Sequence, residues 1–500
     1  MGAKSAVPAG SSWYRSSCGS WRSRTSHRAN ASLRGISASS SVPCHACHPV
    51  GACLTRRAFP SSCTIELEAR IVLDLQRRMS APSTVTRIAC FRSKRRVWEP
   101  HGACRWRATF RHVNAVSRVS VVCPDLSTNC LGRALILAEL CRQDYEVQIV
   151  GLQRRTRRWE PARNTAIPIR ARRLRGIWDC IRAVPWLRRQ LVGSRVIVSK
   201  PVFTSLGLTR RAGVVPHQIL LDNDDWEVGL RRVHGAKGGR RLVEFLDPTR
   251  FNGVWSTLAI DKTLADYPRA LVSNSWLQKR YGGSVLAHVR DTDVLDPDKV
   301  DGDALRARLE MTGRVWIGFV GTPRAHKGGI ELVDAVARFN GPNAPGLYLA
   351  GVDTCDGYAV ALRRYIEQRL PAARIRVQPP FPVEQTAEHV ALADIICLPS
   401  RDDAGAWGQL PAKLIDAIAM GKPTVASGHN DIVDILRGCG THVRPGDAAA
   451  LYAALQPMVS DATLRARLGA RARQKAIDHY SHRAGRAVLR PLVRQIEPFV

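Results

Sequence analysis

Residues 393–427, ADIICLPSRDDAGAWGQLPAKLIDAIAMGKPTVAS, constrain the fold more than any other stretch of this 500-residue chain. An apolar run, a loop rich in Gly and Asp, a helix-forming run carrying Lys413 and Asp416, a Gly turn and a second apolar run follow one another. The order predicts strand, loop, helix, turn and strand. It places a polar loop at the carboxyl end of a buried strand, where open α/β sheets hold their ligands.

From Val116 onward the whole chain repeats this alternation. Strands are expected at 117–125, 145–151, 194–199, 217–225 and 270–274, with a helix over 131–143. After LDPDKVDGD (295–303), whose Asp, Pro and Gly mark a linker, six further strand-like runs lie at 314–323, 346–351, 373–381, 393–400, 422–428 and 441–447. Strands separated by helices of this size make parallel, doubly wound sheets. Five hundred residues also exceed what one core organises. The expected fold class is α/β, with two Rossmann-like doubly wound domains, 116–298 and 299–475, facing across a cleft suited to a ligand.

The formal net charge of +33 raises nucleic-acid binding, but its distribution argues against that reading. Residues 1–118 hold 20 Lys and Arg against 4 Asp and Glu, a net +16, so about half of the excess sits in a segment without apolar periodicity. Residues 1–115 are read as a low-complexity basic extension. It is either a disordered tail or sequence upstream of a true start near Met79 or, through a non-ATG codon, near Val113 to Val119. One short helix is expected at 64–79. Cys44, Cys47 and His48 match the C-x-x-C-H spacing of covalent haem attachment, yet neither an export signal nor a surrounding haem-enclosing domain is evident. The seven later cysteines are scattered singly and read as buried small hydrophobes of a reduced compartment. No run of about 18 apolar residues and no compact apolar block at the amino terminus occurs, so the expected location is cytoplasmic or peripheral at the inner face of a membrane.

The chemistry centres on two loops. GTPRAHKGG (321–329) follows the first strand of the second domain and opens a helix, offering backbone N–H groups, a helix dipole and mobile cations to a diphosphate. Together with 393–427 it resembles the donor-sugar signature of the retaining group 1 glycosyltransferases of GT-B fold, in particular glycosyltransferase family 4. That family carries a Gly-Arg-x-x-x-x-Lys-Gly loop, and Gly321, Lys327 and Gly328 fit the spacing. Thr322 stands where the family has Arg, so Arg324 is the substitute. The family also carries two Glu separated by seven residues, the second on the ribose hydroxyls. Asp416 falls at that second position. Counting back eight residues gives Gly408, which has no carboxylate, and counting forward from Pro399 gives Asp403 in a longer loop.

The resemblance therefore implies donor-binding residues Gly321, Arg324, Lys327, Gly328, Asp402, Gly405, Gly408, Lys413 and Asp416, with Asp403, Arg324 and Lys327 as the catalytic candidates. No covalent nucleophile is assigned. No metal or other cofactor is expected beyond the nucleotide-diphosphate sugar as co-substrate, because Lys and Arg do the metal's electrostatic work. It further implies a helix over 476–500 returning to the first domain.

On the acceptor side, DLSTNCLGR (125–133) follows the first strand, bringing Asn129, Gly132 and Arg133 to the cleft. LDNDDWE (221–227) groups acids around a Trp, and Asp224, Asp225 and Glu227 are read as acceptor-binding or interdomain residues, or as structural caps. His288 and Asp291 are further cleft candidates. Arginines interleaved with Trp159, Trp178 and Trp186 suit either an anionic lipid surface or a solvated face. The expected function is a hexosyltransferase-type retaining transfer from a nucleotide-diphosphate sugar to a glycan or lipid-linked acceptor, without nucleic-acid partners. The alternatives are a sugar-nucleotide hydrolase or epimerase, a non-catalytic relative, and a basic nucleic-acid binder.

Overall fold

A computed structural model describes residues 117–159, 162, 164–234 and 251–500. The expectations for 1–115, including the helix at 64–79 and the Cys44–His48 motif, lie outside the described residues.

The first sheet contains β1 (Arg118–Cys123), β2 (Glu146–Gln153), β3 (Ile169–Arg173), β4 (Ser194–Ser199), β5 (Ile219–Asn223), β6 (Ala270–Val272) and β7 (Ser284–Val285). All pairings are parallel, in the order β3-β2-β1-β4-β5-β6-β7. The second sheet contains β8 (Trp316–Val320), β9 (Gly346–Ala350), β10 (Ile375–Gln378), β11 (Ile395–Leu398), β12 (Thr424–Ser427) and β13 (Gly440–Val443). It is also parallel throughout, in the order β10-β9-β8-β11-β12-β13. The helices that matter below are α1 (Cys130–Cys141), α2 (Ile177–Leu191), α3 (Glu227–His234), α4 (Ser275–Tyr281), α5 (Gly329–Ala337), α6 (Ala412–Ala419), α7 (Ala462–His479) and α8 (His482–Arg494).

Every strand run expected from the sequence overlaps an observed strand. Two strands were not expected. β3 reads IRARR and lies at the sheet edge with no buried residue, so it has no apolar signal to read. β7 is only two residues long.

Helices cover both faces of the first sheet, as an all-parallel sheet requires. Val119, Val121 and Ile149 pack with Leu131 and Leu137 of α1 and Leu489 and Val493 of α8. Their strand neighbours Val122 and Val150 face the other way, onto Leu187 and Leu191 of α2 and onto Phe499. The chain thus ends on the first domain after leaving the second. Its crossing point is the break between α7 and α8, where the Ser481 hydroxyl accepts from Ala484 N–H. The Arg290 backbone clamps this break, donating to Tyr480 O and accepting from His482 N, both at 2.8 Å.

In each sheet the strand order reverses once, between β1 and β4 and between β8 and β11. Loops diverge at such a switch and leave a crevice at the carboxyl ends of the strands. The loops after β1, β4, β8 and β11 are therefore where side chains can converge on a ligand.

Candidate functional site

Two glycines shape the loop after β8. Gly321 has φ +118°, and a Cβ there would lie 2.4 Å from Lys413 Cε. Gly328 has φ +68°, and a Cβ there would lie 1.7 Å from Pro399 O in the loop after β11. No side chain fits either position, and the left-handed backbone suits glycine alone. The loop is thereby drawn against α6 and the β11 loop, which Arg401 N–H reinforces by donating to His326 O at 2.9 Å.

This approach brings Lys327 and Lys413 together. Their Nζ atoms lie 3.3 and 3.5 Å from the Thr322 carbonyl oxygen, and Lys413 Nζ sits 4.0 Å from the Phe319 ring centroid. Among the described residues neither forms an ion pair. Burial, assisted by Arg324, pushes Lys327 down to about 8. Burial and the Lys327 charge pull Lys413 well below the ordinary lysine range. Asp416 offsets this only in part for Lys413, so holding both lysines charged is unfavourable unless an anion joins them. The amino-terminal turn of α5, beginning at Gly329, adds N–H groups at the same place. Arg324 forms an ion pair with Asp356, whose carboxylate also accepts from Ala359 N–H and is held below its usual range by that bond and by the guanidinium.

The loop after β11 is held largely by its own acids. The Asp403 carboxylate accepts from Gly405 N–H at 2.9 Å and Ala406 N–H at 3.0 Å, so it braces the turn. Asp402 is the exposed one. It accepts from Trp407 Nε1 at 3.1 Å and lies 3.6 Å from Nε2 of the buried His429. Gly408 meets the first domain: its carbonyl accepts from Trp226 N–H at 3.2 Å, and a Cβ would lie 2.2 Å from Trp226 Cβ. Gly405 similarly faces Leu230 of α3, with 2.9 Å available to a Cβ. The smallness of these two glycines lets the two domains touch.

Asp416 on α6 forms an ion pair with Arg290 of the first domain. The sequence points to residues 290–293 as a cleft segment, with His288 and Asp291 as candidates, but does not single out Arg290, whose role depends on a partner 126 positions away. His288 is buried with Nδ1 unbonded, and burial, together with Arg133 and Arg290, keeps it well below the usual histidine range. The Asp291 carboxylate caps its own turn through Asp293 N and Val294 N.

In the first domain the acids after β5 converge on Lys200, a residue the sequence reading missed. Lys200 follows β4 at φ +58°, and its buried Nζ pairs with Asp224 at 3.0 Å, with Asp225, and with Glu227 at 3.4 Å. Burial alone would lower its pKa, but the three carboxylates outweigh it and raise the group well above its usual range. Asp225 also accepts from Gln409 Nε2 of the second domain at 3.3 Å. Arg133 lies under the crevice rather than on its wall: it is buried, pairs with Asp222 at 2.7 Å and donates to Leu286 O and Ala287 O. Asn129 stays exposed before α1, and Gly132 packs 3.2 Å, by its would-be Cβ, from Trp159.

Residues 314–461 match the family model described as glycosyl transferases group 1. No curated protein is matched by sequence. Among solved structures, sucrose-phosphate synthase from Thermosynechococcus elongatus superimposes with TM-score 0.59 at 17% identity, over 76% of this chain and 98% of that one. A glycosyltransferase from Rickettsia africae gives 0.58 at 12% identity, covering 76% and 99%. HepE from Anabaena, in complex with UDP and glucose, gives 0.58 at 15% identity, covering 76% and 99%. The fold is thus the GT-B pair of parallel-sheet α/β domains expected from the sequence, and its second domain carries the group 1 glycosyl transferase match.

Proposed function

We propose that the chain is a retaining glycosyltransferase that moves a sugar from a nucleotide diphosphate to an acceptor hydroxyl in glycan or glycolipid synthesis. The observation that carries this reading is the Lys327 and Lys413 pair, two converging lysines with no carboxylate in ion-pair range, set beside the amino terminus of α5. A diphosphate supplies the missing negative charge. As the glycosidic bond breaks, charge builds on the leaving diphosphate, and fixed cations stabilise that state more than the ground state. Asp416 would accept from the ribose hydroxyls in place of Arg290, and Arg324 would exchange Asp356 for phosphate. The acceptor oxygen then bonds to the anomeric carbon on the face the diphosphate leaves, its proton passing to the departing diphosphate oxygen, which gives retention. The HepE complex contains UDP and glucose, so UDP-linked sugars are the first donors to test.

The test is calorimetric titration of UDP- and GDP-linked sugars into the full chain beside Lys327→Ala and Asp416→Ala. A charged hydrogen bond contributes about 1.5–3 kcal/mol, so the lysine variant should bind roughly 10- to 100-fold more weakly. Failure of the folded wild type to bind any sugar nucleotide would remove the basis of the assignment.

A further inference from the structure

Between residues 151 and 195 the chain carries 13 arginines and two acids. The structure gathers much of that charge at one corner of the first domain, the β3 edge of the sheet at the carboxyl ends of its strands. Leu174 N–H donates to Gln153 O, and the Gln153 amide donates to the carbonyls of Arg155 and Thr156, so the segments after β2 and β3 lie side by side. Arg175 N–H donates to Asp179 at 2.9 Å, which ties the first turn of α2 to the same corner and occupies the one described acid of this stretch.

The exposed side chains there are Arg154, Arg155, Arg173, Arg175 and Arg182, and among the described residues none of them has an ion-pair partner. In their midst α2 presents Trp178 at 70% and Ile181 at 53% exposure. These two positions and Arg182 share one helical face, while Cys180, Ala183, Leu187 and Leu191 bury the other. A solvated basic face needs no exposed Trp and Ile at its centre. Exposed apolar side chains ringed by unpaired arginines match an anionic lipid surface, with the aromatic at the headgroup boundary and the guanidinium groups on phosphates. The chain's own amino-terminal extension does not complement this corner, because residues 1–118 carry a net +16 of the same sign. The corner also adjoins the candidate site: the Ser127 hydroxyl, in the loop after β1, accepts from Arg154 N–H and Arg155 N–H at 3.1 and 3.0 Å.

We propose that this corner seats the protein on an anionic lipid bilayer, with Trp178 and Ile181 entering the interface and the arginines holding the headgroups. The crevice at the carboxyl ends of β1 and β4 then opens close to the membrane. The docking does not depend on which reaction the cleft performs.

The test is co-sedimentation of the full chain with phosphatidylcholine vesicles that contain or lack phosphatidylglycerol. Wild type is compared with Trp178→Ser/Ile181→Ser and with Arg155→Glu/Arg173→Glu/Arg182→Glu, each variant first checked for an unchanged melting temperature. The expected result is binding only to the anionic vesicles, weakened roughly tenfold or more in the charge variant and roughly tenfold in the apolar variant. Binding that neither variant weakens would overturn the proposal and place any membrane affinity in the basic extension. Equal binding to neutral vesicles would also overturn it. So would a wild type that ignores vesicles but binds oligonucleotides through these arginines, which would make the corner a nucleic-acid face.

Discussion

Lys413 shows how much one residue can follow from sequence and how much cannot. Its place on α6 after a Gly- and Asp-rich loop was readable, but its approach to Lys327 depends on a glycine 92 positions earlier having no side chain. Lys413→Met keeps most of the volume and removes one of two like charges. The expected outcome is opposed effects: nucleotide-sugar affinity falls roughly 10-fold or more, while the ligand-free melting temperature holds or rises. Differential scanning fluorimetry with and without donor reads both. The same pair sets a pH dependence. Lys327, lowered to about 8, binds its proton less tightly when folded than when unfolded. Stability of the free protein therefore increases as pH rises from about 8 towards the ordinary lysine range, because the unfolded chain binds more protons there. Diphosphate affinity needs the ammonium form and falls over the same window. Affinity that stays flat through that range would show that Lys327 does not hold the phosphates. Asp403 teaches a different point. It was reached only by counting forward from Pro399 through a longer loop, and its carboxylate braces Gly405 and Ala406, a local role that a turn-forming Asp takes readily.

The loop after β11 and helix α3 act as a matched pair. Gly408 lies against Trp226, and Gly405 lies against Leu230. Gly408→Ala would force a Cβ to within 2.2 Å of Trp226 Cβ, so backbone must shift where the domains meet. Overpacking of this kind costs about 1–3 kcal/mol. The variant is expected to melt earlier and to scatter X-rays as a more open particle; an unchanged profile would show that this contact is not what holds the domains together. At the level of strands, β8 and β11 were plain because every residue in them is apolar or small and buried. β3 was not, because an edge strand needs only its backbone to pair.

The domains are joined by more than the linker. Ser275 at the start of α4 donates its N–H to Asp431 at 2.9 Å, Arg290 pairs with Asp416, and Arg473 of α7 donates to Thr292 O and Leu295 O. The returning α8 and the terminal residues then bury Leu489, Val493, Ile496 and Phe499 in the first domain. Ending the chain at Tyr480 would expose all four. At about 1.5–3 kcal/mol each, the loss is about 6 kcal/mol or more. Such a truncation should lose its cooperative urea transition in the first domain, and a normal transition would show that the helix only decorates the surface. The sequence by itself determined the alternation of strands and helices, the two sheets, and the Gly- and Lys-bearing loops, because periodicity, glycine and cation spacing are local properties. Tertiary structure alone decided the Lys200 cluster, the Arg290 pairing with Asp416 and the approach of Arg154 and Arg155 to the start of α2. Each of these depends on which residues, distant along the chain, share the carboxyl edge of a sheet, and charge pairing acts through space rather than along the chain.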